Sequence, residues 1–457
     1  MVWRAHFMVN KKMAWSLIGL CLSWRLLRWC LDFPVWGDEA MLAINFFDAS
    51  YTDLFSPLEY GQIGPLGWLW LEKLMFDIGR GNMLLLRLPG FIAGVCGVLL
   101  FWKVAKKIVD ERAALFALAL FCASYYPMRY SIEVKPYAFD LLIALMLINA
   151  TLDHAPKKFF IIAAGGIFFS LPSMFTAAAC GLYLFYKLAS QRKLLFLGGV
   201  LLISAYAWMA TSFAAPHATA ASWLREMEMW VTAFPPLQEW WTLPYWLIER
   251  HAGYMSAYPS GGRDFGSLAT LILQLIGVAV LWRQGRKQQL LILWGGLPFL
   301  FIAAAMQAYP YGGSVRVAIF LAPAICICAG AGLQRLLQHR HALPVFASMM
   351  AIFIVSGMVA DIKQPYKTES DLQVEQFVEQ LVADKDRTAV IVGHLPTDTS
   401  EKMDLRNYGG GLARLRYLLR RDFGSDASWS NNSSPAITDS AVIHIEYHSH
   451  DGVPTFR

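Results

Sequence analysis

Two adjacent carboxylates, Asp38 and Glu39, follow Trp36-Gly37 and open a segment with an amphipathic helical pattern. Acids at this position have a structural explanation, because the helix dipole stabilises a negative charge in the first turn by about 0.3–1 kcal/mol. They also have a chemical explanation, because a positioned carboxylate can accept the proton of a reacting hydroxyl group. The motif alone leaves both explanations open.

Residues 125–137 hold a second concentration of polar groups, with one acid, two cations and four tyrosines between apolar runs. In a solvated loop, the Glu133–Lys135 pair would contribute only about 0–1 kcal/mol. At a membrane boundary, charges are costly to dehydrate, and such a concentration is typical of a functional polar cavity. The candidate site residues in this stretch are Arg129, Tyr130, Glu133, Lys135 and Tyr137.

Arginines at the ends of apolar segments could bind an anion. Arg87 lies in an Arg-Leu-Pro motif near the start of one such segment, and a Gly312-Gly313 turn between Tyr311 and Arg316 precedes another. A single arginine near a helix end is most often an anchor whose head group reaches the interface. Several arginines beside two acidic segments favour a binding site, and a guanidinium group matches phosphate better than an ammonium group does.

The composition indicates which solvent surrounds the elements that must position these residues. Of 457 residues, 56% are hydrophobic and only 16% are charged, and the mean hydropathy is +0.42. A globular chain carries roughly 25% charged residues, so this chain could not cover a water-exposed surface of its size. Disordered, coiled-coil, fibrous and ordinary cytosolic proteins are therefore excluded. The net charge of +6 comes from short basic clusters between apolar runs, which argues against nucleic acid as a partner.

The hydrophobicity pattern predicts about eleven transmembrane helices, since a spanning helix needs roughly 20 mostly apolar residues. The predicted spans are residues 13–31, 82–102, 113–128, 137–152, 158–172, 173–188, 194–214, 265–282, 288–306, 315–335 and 342–361. The short basic connections fall on the same side as the N-terminus, and the positive-inside rule makes that side cytoplasmic. The extracytoplasmic side then holds the C-terminal tail and the outer loops 32–81, 125–136, 214–264 and 307–314.

Two domains follow from these boundaries. Residues 1–362 are predicted to form an all-α polytopic membrane domain, with amphipathic outer-face helices at 38–50 and 65–77. Residues 363–457 have a soluble composition and are predicted to form a small extracytoplasmic α/β domain, whose basic helix is expected to be solvated. The helical patterns of this tail lie at 370–384 and 411–421, and its strand patterns lie at 388–393 and 441–447.

The motifs resemble those of integral-membrane glycosyltransferases of the GT-C superfamily. The resemblance rests on the stretch from Leu31 to Ala40 that ends in Trp-x-Asp-Glu-Ala, on the Arg-Leu-Pro at Arg87, and on the Arg-Tyr-Ser-x-Glu-x-Lys-Pro-Tyr sequence from Arg129 to Tyr137. The pattern is most similar to glycosyltransferase family 39, which includes protein O-mannosyltransferases and aminoarabinose transferases. Motifs carry the resemblance through about the first 150 residues, and the order of spans carries it beyond them.

The resemblance implies an enzyme that transfers a sugar from a polyprenyl-phosphate donor to a lipid, glycan or protein acceptor on the extracytoplasmic face. Asp38 takes the position of the family's catalytic acid, Glu39 that of its supporting neighbour, and Glu133 that of the second-loop acid. Lys135 stands where an arginine is common. The expected location is a bacterial inner membrane, with membrane lipids as further partners. No cofactor is firmly implied, although paired acids would suit a divalent cation.

Such a transfer needs a base for the acceptor hydroxyl, cations for the charge on the departing phosphate, and a groove that holds the lipid. A single-displacement, inverting reaction is expected, with Asp38 as the base. Arg129, Lys135 and Arg316 would surround the phosphate. The predicted substrate-binding set also includes Arg87, Tyr130, Tyr137 and Tyr311.

A membrane transporter or lipid flippase that uses interfacial charges is the alternative function. It would place ionisable residues in the middle of several spans, whereas the cores of the predicted spans are nearly free of charge. A third hypothesis is an assembly protein that keeps the fold without the activity, which the presence of Asp38, Glu39 and Glu133 disfavours.

Overall fold

The computed structural model describes the backbone of residues 2–209, 213, 232–383 and 405–423, and of short strands between residues 388 and 456. Side chains are described for residues 11–209, 213, 232–380 and 413–422. Over this part of the chain, the α-helices are α1 (Val2–Cys30), α2 (Gly37–Ala43), α3 (Leu66–Gly79), α4 (Met83–Ile108), α5 (Glu111–Ala123), α6 (Tyr125–Arg129), α7 (Tyr137–Leu152), α8 (Pro156–Phe169), α9 (Ser173–Lys187), α10 (Arg192–Met209), α11 (Leu243–Ala252), α12 (Leu268–Arg283), α13 (Lys287–Trp294), α14 (Gly296–Ala305), α15 (Ala322–Leu336), α16 (Ala342–Lys363), α17 (Glu369–Ala383) and α18 (Leu405–Phe423).

Short 3₁₀ helices and strands complete the described secondary structure. The 3₁₀ helices are Ile44–Phe46, Asp53–Phe55, Glu59–Gly61, Ala189–Gln191, Trp240–Thr242, Tyr254–Ser256 and Val315–Leu321. The strands are β1 (Thr388–Ala389), β2 (Ile391–Val392), β3 (Trp429–Ser430), β4 (Val442–Ile443), β5 (Tyr447–His450) and β6 (Val453–Phe456). β1 pairs with β4 and β2 with β3 in parallel, whereas β5 and β6 form an antiparallel hairpin.

Each predicted span contains an α-helix over its described residues, but the helices differ in length. By length and composition, the described helical stretches able to cross a membrane are Met83–Ile108, Ala189–Met209, Lys287–Ala305, Val315–Leu336 and Ala342–Lys363. α7 has 16 residues and is about 24 Å long, which is shorter than a hydrocarbon core of about 30 Å. The structure therefore supports an integral membrane protein of mostly helical fold, and the number of eleven spans stays a prediction.

The span predicted over 288–306 is interrupted in the structure. α13 ends at Trp294 and α14 begins at Gly296. Pro298 in the first turn of α14 has no N–H group to donate to the carbonyl of Trp294, so the hydrogen-bond ladder cannot run unbroken through this point.

The first and last predicted spans are joined by a buried ion pair. Arg28, in the last turn of α1, donates to Asp361 of α16 over 2.5 Å, and the Trp24 indole donates to the same carboxylate over 2.8 Å. Both charged residues are buried. α1 and α16 therefore end on the same side of the bundle, the side on which α4 and α7 begin.

α12 and α15 approach each other closely through glycines. A Cβ atom at Gly277 would lie 1.7 Å from the carbonyl oxygen of Cys328, and one at Gly332 would lie 2.1 Å from the carbonyl oxygen of Leu273. Because lipid tails are as apolar as helix side chains, small residues that allow close backbone contact supply much of the packing attraction in a membrane. The short distance between α12 and α15 therefore depends on the absence of a side chain at Gly277 and Gly332.

The first outer loop is more compact than the sequence pattern predicts. The helix predicted over 38–50 ends at Ala43, where the Asn45 side chain donates to the carbonyl oxygens of Met41 and Leu42 and satisfies the last turn. The helix predicted over 65–77 is present as α3. The outer loop packs with α17 and α18 in a hydrophobic core separate from that of the bundle.

The prediction of a solvated basic helix at 411–421 is wrong. In α18, Leu415, Tyr417 and Leu419 are fully buried. Arg416 donates to Glu59 over 2.9 Å, and the arginine one turn further along, Arg420, binds both oxygens of Asp48 over 2.6 Å. Partners more than 350 residues away in the sequence, which no local pattern reveals, cover this helix.

The tail has the predicted helices, α17 and α18, together with the short strands already described. A separate α/β domain over 363–457 stays a prediction.

Parts of the predicted segments lie outside the described residues, namely 210–212 and 214 of the seventh span, 214–231 of the long outer loop, 384 of the helical pattern at 370–384, and 390, 393, 441 and 444–446 of the strand patterns.

We expect Gly277→Ala to lower the stability of the bundle by about 1–3 kcal/mol or more, because the new methyl group must push the backbones of α12 and α15 apart. Thermal unfolding of the purified protein in detergent measures the loss. Gly165→Ala, on an open face of α8 with nothing within 4 Å of the added atom, is the matched control and should be neutral or stabilising. Equal melting temperatures for both variants would contradict the close crossing.

Candidate active site

Glu39 and Arg87 form a buried ion pair that connects the two acidic segments. Arg87 Nε and Nη2 donate to the two Glu39 oxygens over 3.0 and 2.8 Å, a bidentate arrangement. The same carboxylate accepts the backbone N–H of Val134 over 2.9 Å and that of Trp36 over 3.2 Å. Because Glu39 is the third residue of α2, its bond to Trp36 also caps the start of that helix.

Arg87 makes further contacts to the first outer loop. Its Nη1 atom donates to the carbonyl oxygen of Phe33 over 2.8 Å and to Asp32 over 3.0 Å. The side chains of Arg87 and Glu39 are only 3% and 1% exposed. This pair is therefore part of the framework beneath the site, where it holds the loop after α1 against α4 and the 131–136 turn.

Asp38 points away from that framework and meets Arg316. Arg316 Nη1 donates to Asp38 Oδ2 over 2.6 Å, and the two side chains are 15% and 25% exposed. Burial raises the pKa of the Asp38 carboxyl, but the positive charges of Lys135, Arg316 and Lys367 outweigh it and lower that pKa to about 2. Asp38 is therefore a partly exposed carboxylate that is ionised at neutral pH.

Lys135 lies beside this pair and is held by the first outer loop. Its ammonium group donates to the side-chain oxygen of Gln62 over 2.8 Å. Burial lowers the pKa of Lys135, and the negative charge of Asp38 opposes the shift. Gln62 belongs to the glycine-rich turn before α3, within the first outer loop.

Glu133 holds two cations at the other side of the site. Arg129 Nε donates to Glu133 Oε1 over 2.6 Å, one helical turn earlier in the chain, and Lys367 Nζ lies 3.7 Å from the same oxygen. Burial raises the pKa of the Glu133 carboxyl, but Arg129 and Lys367 outweigh it, so the net shift is downward. Arg129 also lies over the Trp36 ring, 5.2 Å from its centre.

Lys367 is the residue that sequence reasoning missed. It follows the last predicted span, in a segment that the pattern assigns to the start of the tail, yet its ammonium group lies over the Trp36 ring and beside Glu133. Burial lowers its pKa to about 7, although the negative charges of Glu133, Asp38 and Glu39 oppose the shift. The available signal was a lysine within six residues of the predicted membrane boundary at 361.

The tyrosines fall into two groups. Tyr130 packs edge-on against Tyr137, with ring centres 5.0 Å apart, and Arg129 lies 5.2 Å from the Tyr130 ring. Burial raises the pKa of Tyr130 to about 12. Tyr311 instead donates to or accepts from His251 over 3.0 Å and packs on Trp246, and among the described contacts none joins it to Asp38 or Glu133.

The three predicted carboxylates differ most clearly in exposure. The side chain of Asp38 is 25% exposed, that of Glu133 is 9% exposed, and that of Glu39 is 1% exposed. Each of them is bound to an arginine.

Among the residues with described side chains, no group of three or more His, Cys, Asp or Glu side chains is arranged to hold a metal ion, and the divalent cation stays a prediction.

We expect Glu39→Ala to destabilise the protein by about 3–5 kcal/mol, because it leaves the buried Arg87 charge without its bidentate partner. The melting temperature in detergent should fall clearly. Glu369→Ala, which removes an exposed acid at the start of α17, is the control and should change it little. A melting temperature for Glu39→Ala equal to that of the control would show that the pair does not support the fold.

Part of the chain matches a known protein family. Residues 64–232 match the family described as dolichyl-phosphate-mannose-protein mannosyltransferase. The matched range includes Arg87 and the whole 125–137 segment and begins after Asp38. No curated protein sequence gives a significant match to the chain.

Two solved structures align with most of the chain. ArnT from Cupriavidus metallidurans, bound to undecaprenyl phosphate, has a TM-score of 0.51 at 13% identity, with 92% of this chain and 86% of that chain covered. The apo oligosaccharyltransferase of Archaeoglobus fulgidus has a TM-score of 0.44 at 12% identity, with 88% and 64% covered. The similarity to ArnT shows a shared fold. With the family match and the motifs, it confirms that this chain resembles the integral-membrane glycosyltransferases of the GT-C superfamily, and family 39 in particular.

Proposed function

We propose that this chain transfers a sugar from a polyprenyl-phosphate donor to an acceptor hydroxyl group at the extracytoplasmic face of a membrane. The observation that carries the proposal is the Asp38–Arg316 pair, an ionised and partly exposed carboxylate beside cations. The name of the matched family includes a dolichyl-phosphate sugar, and ArnT was solved with undecaprenyl phosphate bound. Both names support a lipid phosphate as the donor class.

In the proposed reaction, the acceptor oxygen attacks the anomeric carbon of the sugar while the bond from that carbon to the phosphate oxygen breaks. The electron pair of the broken bond leaves with the polyprenyl phosphate. The hydroxyl proton passes to Asp38, and the anomeric configuration inverts. Glu39 is too deeply buried and too fully bonded to take this proton, so we assign it a positioning role.

The cations around Asp38 have two tasks in this scheme. Arg316, Lys135 and Arg129 would bind the donor phosphate and stabilise the negative charge that develops as it departs, which is often the largest catalytic contribution. The same Arg316 and Lys135 hold the pKa of Asp38 low in the free protein. When a phosphate engages them, their effect on Asp38 weakens and its pKa rises. The carboxylate therefore becomes a stronger base only when the donor is present.

We assign Arg87 a role that differs from the substrate-binding role predicted from the sequence. Its guanidinium donates to Glu39, Asp32 and the Phe33 carbonyl oxygen. We therefore propose that Arg87 positions the catalytic loop and leaves phosphate binding to Arg129, Lys135 and Arg316. Tyr130 and Tyr137 would line the same site beside Arg129.

The alternative of a transporter or flippase predicts charges along a path through the bundle. Among the described residues, the buried charges of the long helices collect near one end, with Arg28 at the end of α1, Asp361 at the end of α16 and Arg87 at the start of α4. This distribution supports chemistry at one face. We propose that this face is extracytoplasmic and that the membrane is a bacterial inner membrane.

The decisive experiment measures transfer of labelled sugar from a panel of polyprenyl-phosphate donors in membranes. We expect Asp38→Asn to lower the transfer rate by at least about 10²-fold, since it removes the proton acceptor and keeps the size of the side chain. Asp53→Asn, an exposed acid on the same outer loop, is the matched control and should keep full activity. Equal rates in Asp38→Asn and the control would remove Asp38 from the mechanism. Absence of transfer from every donor would overturn the proposed function.

The low pKa of Asp38 gives a pH prediction. With a pKa of about 2 in the free protein, Asp38 stays deprotonated as the pH falls from 7 to 5. We therefore expect kcat/KM to show no loss from protonation of Asp38 in this range. Comparison of the pH profiles of the wild type and Asp38→Glu tests this. An inflection between pH 5 and 7 that moves in Asp38→Glu would assign that titration to residue 38 and contradict the prediction.

A further inference from the structure

Lys367 enters the candidate site from outside the predicted membrane domain. The α16 helix ends at Lys363, and Pro365 then prevents its continuation, since a proline disfavours helical geometry in the residue before it. Thr368 and Asp371 exchange hydrogen bonds that cap the start of α17, with the Thr368 hydroxyl donating to Asp371 over 2.7 Å. Lys367 is thus fixed between a helix end and a helix start.

The C-terminal helices hold this segment against the first outer loop. Asp371 forms a buried ion pair with Arg414 of α18 over 2.7 Å. α18 in turn is bound to the outer loop through Arg420 and Asp48, and the Tyr417 hydroxyl donates to the carbonyl oxygen of Gly81 over 2.5 Å. The position of Lys367 therefore depends on the docking of the tail.

Lys367 is paired with Glu133 at a distance and packs on Trp36, yet its ammonium group makes no hydrogen bond among the described residues. Its side chain is only 19% exposed. The nearest carboxylate oxygen, on Glu133, is 3.7 Å away, beyond hydrogen-bond distance, and is already bonded to Arg129. An ammonium group carries three donors and is costly to dehydrate without partners. A phosphate beside Lys367 would supply the hydrogen-bond acceptors that its ammonium group lacks.

We propose that Lys367 binds the phosphate of the lipid donor and that docking of the C-terminal helices onto the first outer loop delivers it to the site. This inference rests on the proposed function, because it names a further ligand for the same phosphate. It gives the tail a role in donor binding, and it assigns the phosphate one cation from beyond the last predicted span.

The test is equilibrium binding of radiolabelled undecaprenyl phosphate to the purified full-length protein in detergent. Removing one charge-assisted hydrogen bond should raise Kd about 10- to 100-fold in Lys367→Met. Lys367→Arg, which keeps the charge, should stay within about threefold of the wild type. Lys363→Met removes an exposed lysine four residues earlier and is the matched control. Undecaprenol, which has the chain without the phosphate, should not distinguish these variants.

The pH dependence separates a phosphate ligand from a merely structural lysine. The charged groups that face Lys367 are Glu133 and Arg129 from the second loop, Asp38 and Glu39 from α2, and Asp371 from α17. Burial lowers the pKa of Lys367 to about 7, so binding must take up a proton above that pH. From pH 7 to 9, the wild-type Kd should rise toward that of Lys367→Met, whereas Lys367→Arg should keep its affinity. The second ionisation of phosphate, near pH 6, is complete over this range.

Three outcomes would overturn the inference. Lys367→Met that binds undecaprenyl phosphate as tightly as the wild type would exclude Lys367 as a ligand, and loss of transfer in Asp38→Asn would still support the proposed function. Equal weakening for undecaprenol and undecaprenyl phosphate would show that Lys367 shapes the groove and does not contact the phosphate. A wild-type protein that neither binds the phosphate nor transfers any sugar would overturn the proposed function together with the inference.

Discussion

The buried pair between Glu39 and Arg87 underlies both segments that carry the candidate chemistry. One carboxylate receives two guanidinium bonds and the backbone N–H groups of Trp36 and Val134. These four bonds compensate the dehydration of both charges, which would otherwise be strongly destabilising. They also fix the start of α2, which sets the direction of Asp38, and they fix the turn that carries Glu133 and Lys135. The two neighbouring acids of the Asp-Glu motif thus have different roles. Glu39 is bonded within the framework, and Asp38 faces the site.

Charge balance around the site follows from the same arrangement. The two carboxylates nearest the open side are both paired with cations, Asp38 with Arg316 from a distant segment, and Glu133 with Arg129 one turn away and with Lys367 from the tail. Cations outnumber acids on the open side, because Glu39 is occupied by Arg87. A site with a surplus of dehydrated cations favours an anion such as phosphate. This surplus is the electrostatic basis of the proposed lipid-phosphate donor.

The C-terminal helices are part of the structure around the site. α17 and α18 share a hydrophobic core with the first outer loop. Arg414 of α18 pairs with Asp371 of α17, and two further arginines of α18 pair with Asp48 and Glu59 of the loop. An arginine-rich helix can be soluble alone. In α18, however, the apolar face is buried and the arginines form ion pairs with carboxylates. The tail therefore couples the end of the last predicted span to the loop that carries Asp38.

The sequence by itself determined that most of the chain lies in a membrane, that its fold is helical, and where most helices lie. Composition and apolar periodicity are local properties, and a chain that lies in a bilayer must have apolar helices. The sequence also singled out Asp38, Glu133, Arg129, Lys135 and Arg316 as candidate site residues, because charge in an otherwise apolar chain is conspicuous. Only the tertiary structure decided that Glu39 and Arg87 neutralise each other, that Tyr311 packs elsewhere, that α18 is covered, and that Lys367 reaches Trp36. Each of these depends on residues tens to hundreds of positions apart. Such contacts arise from the packing of whole helices, and no local pattern in the sequence encodes them.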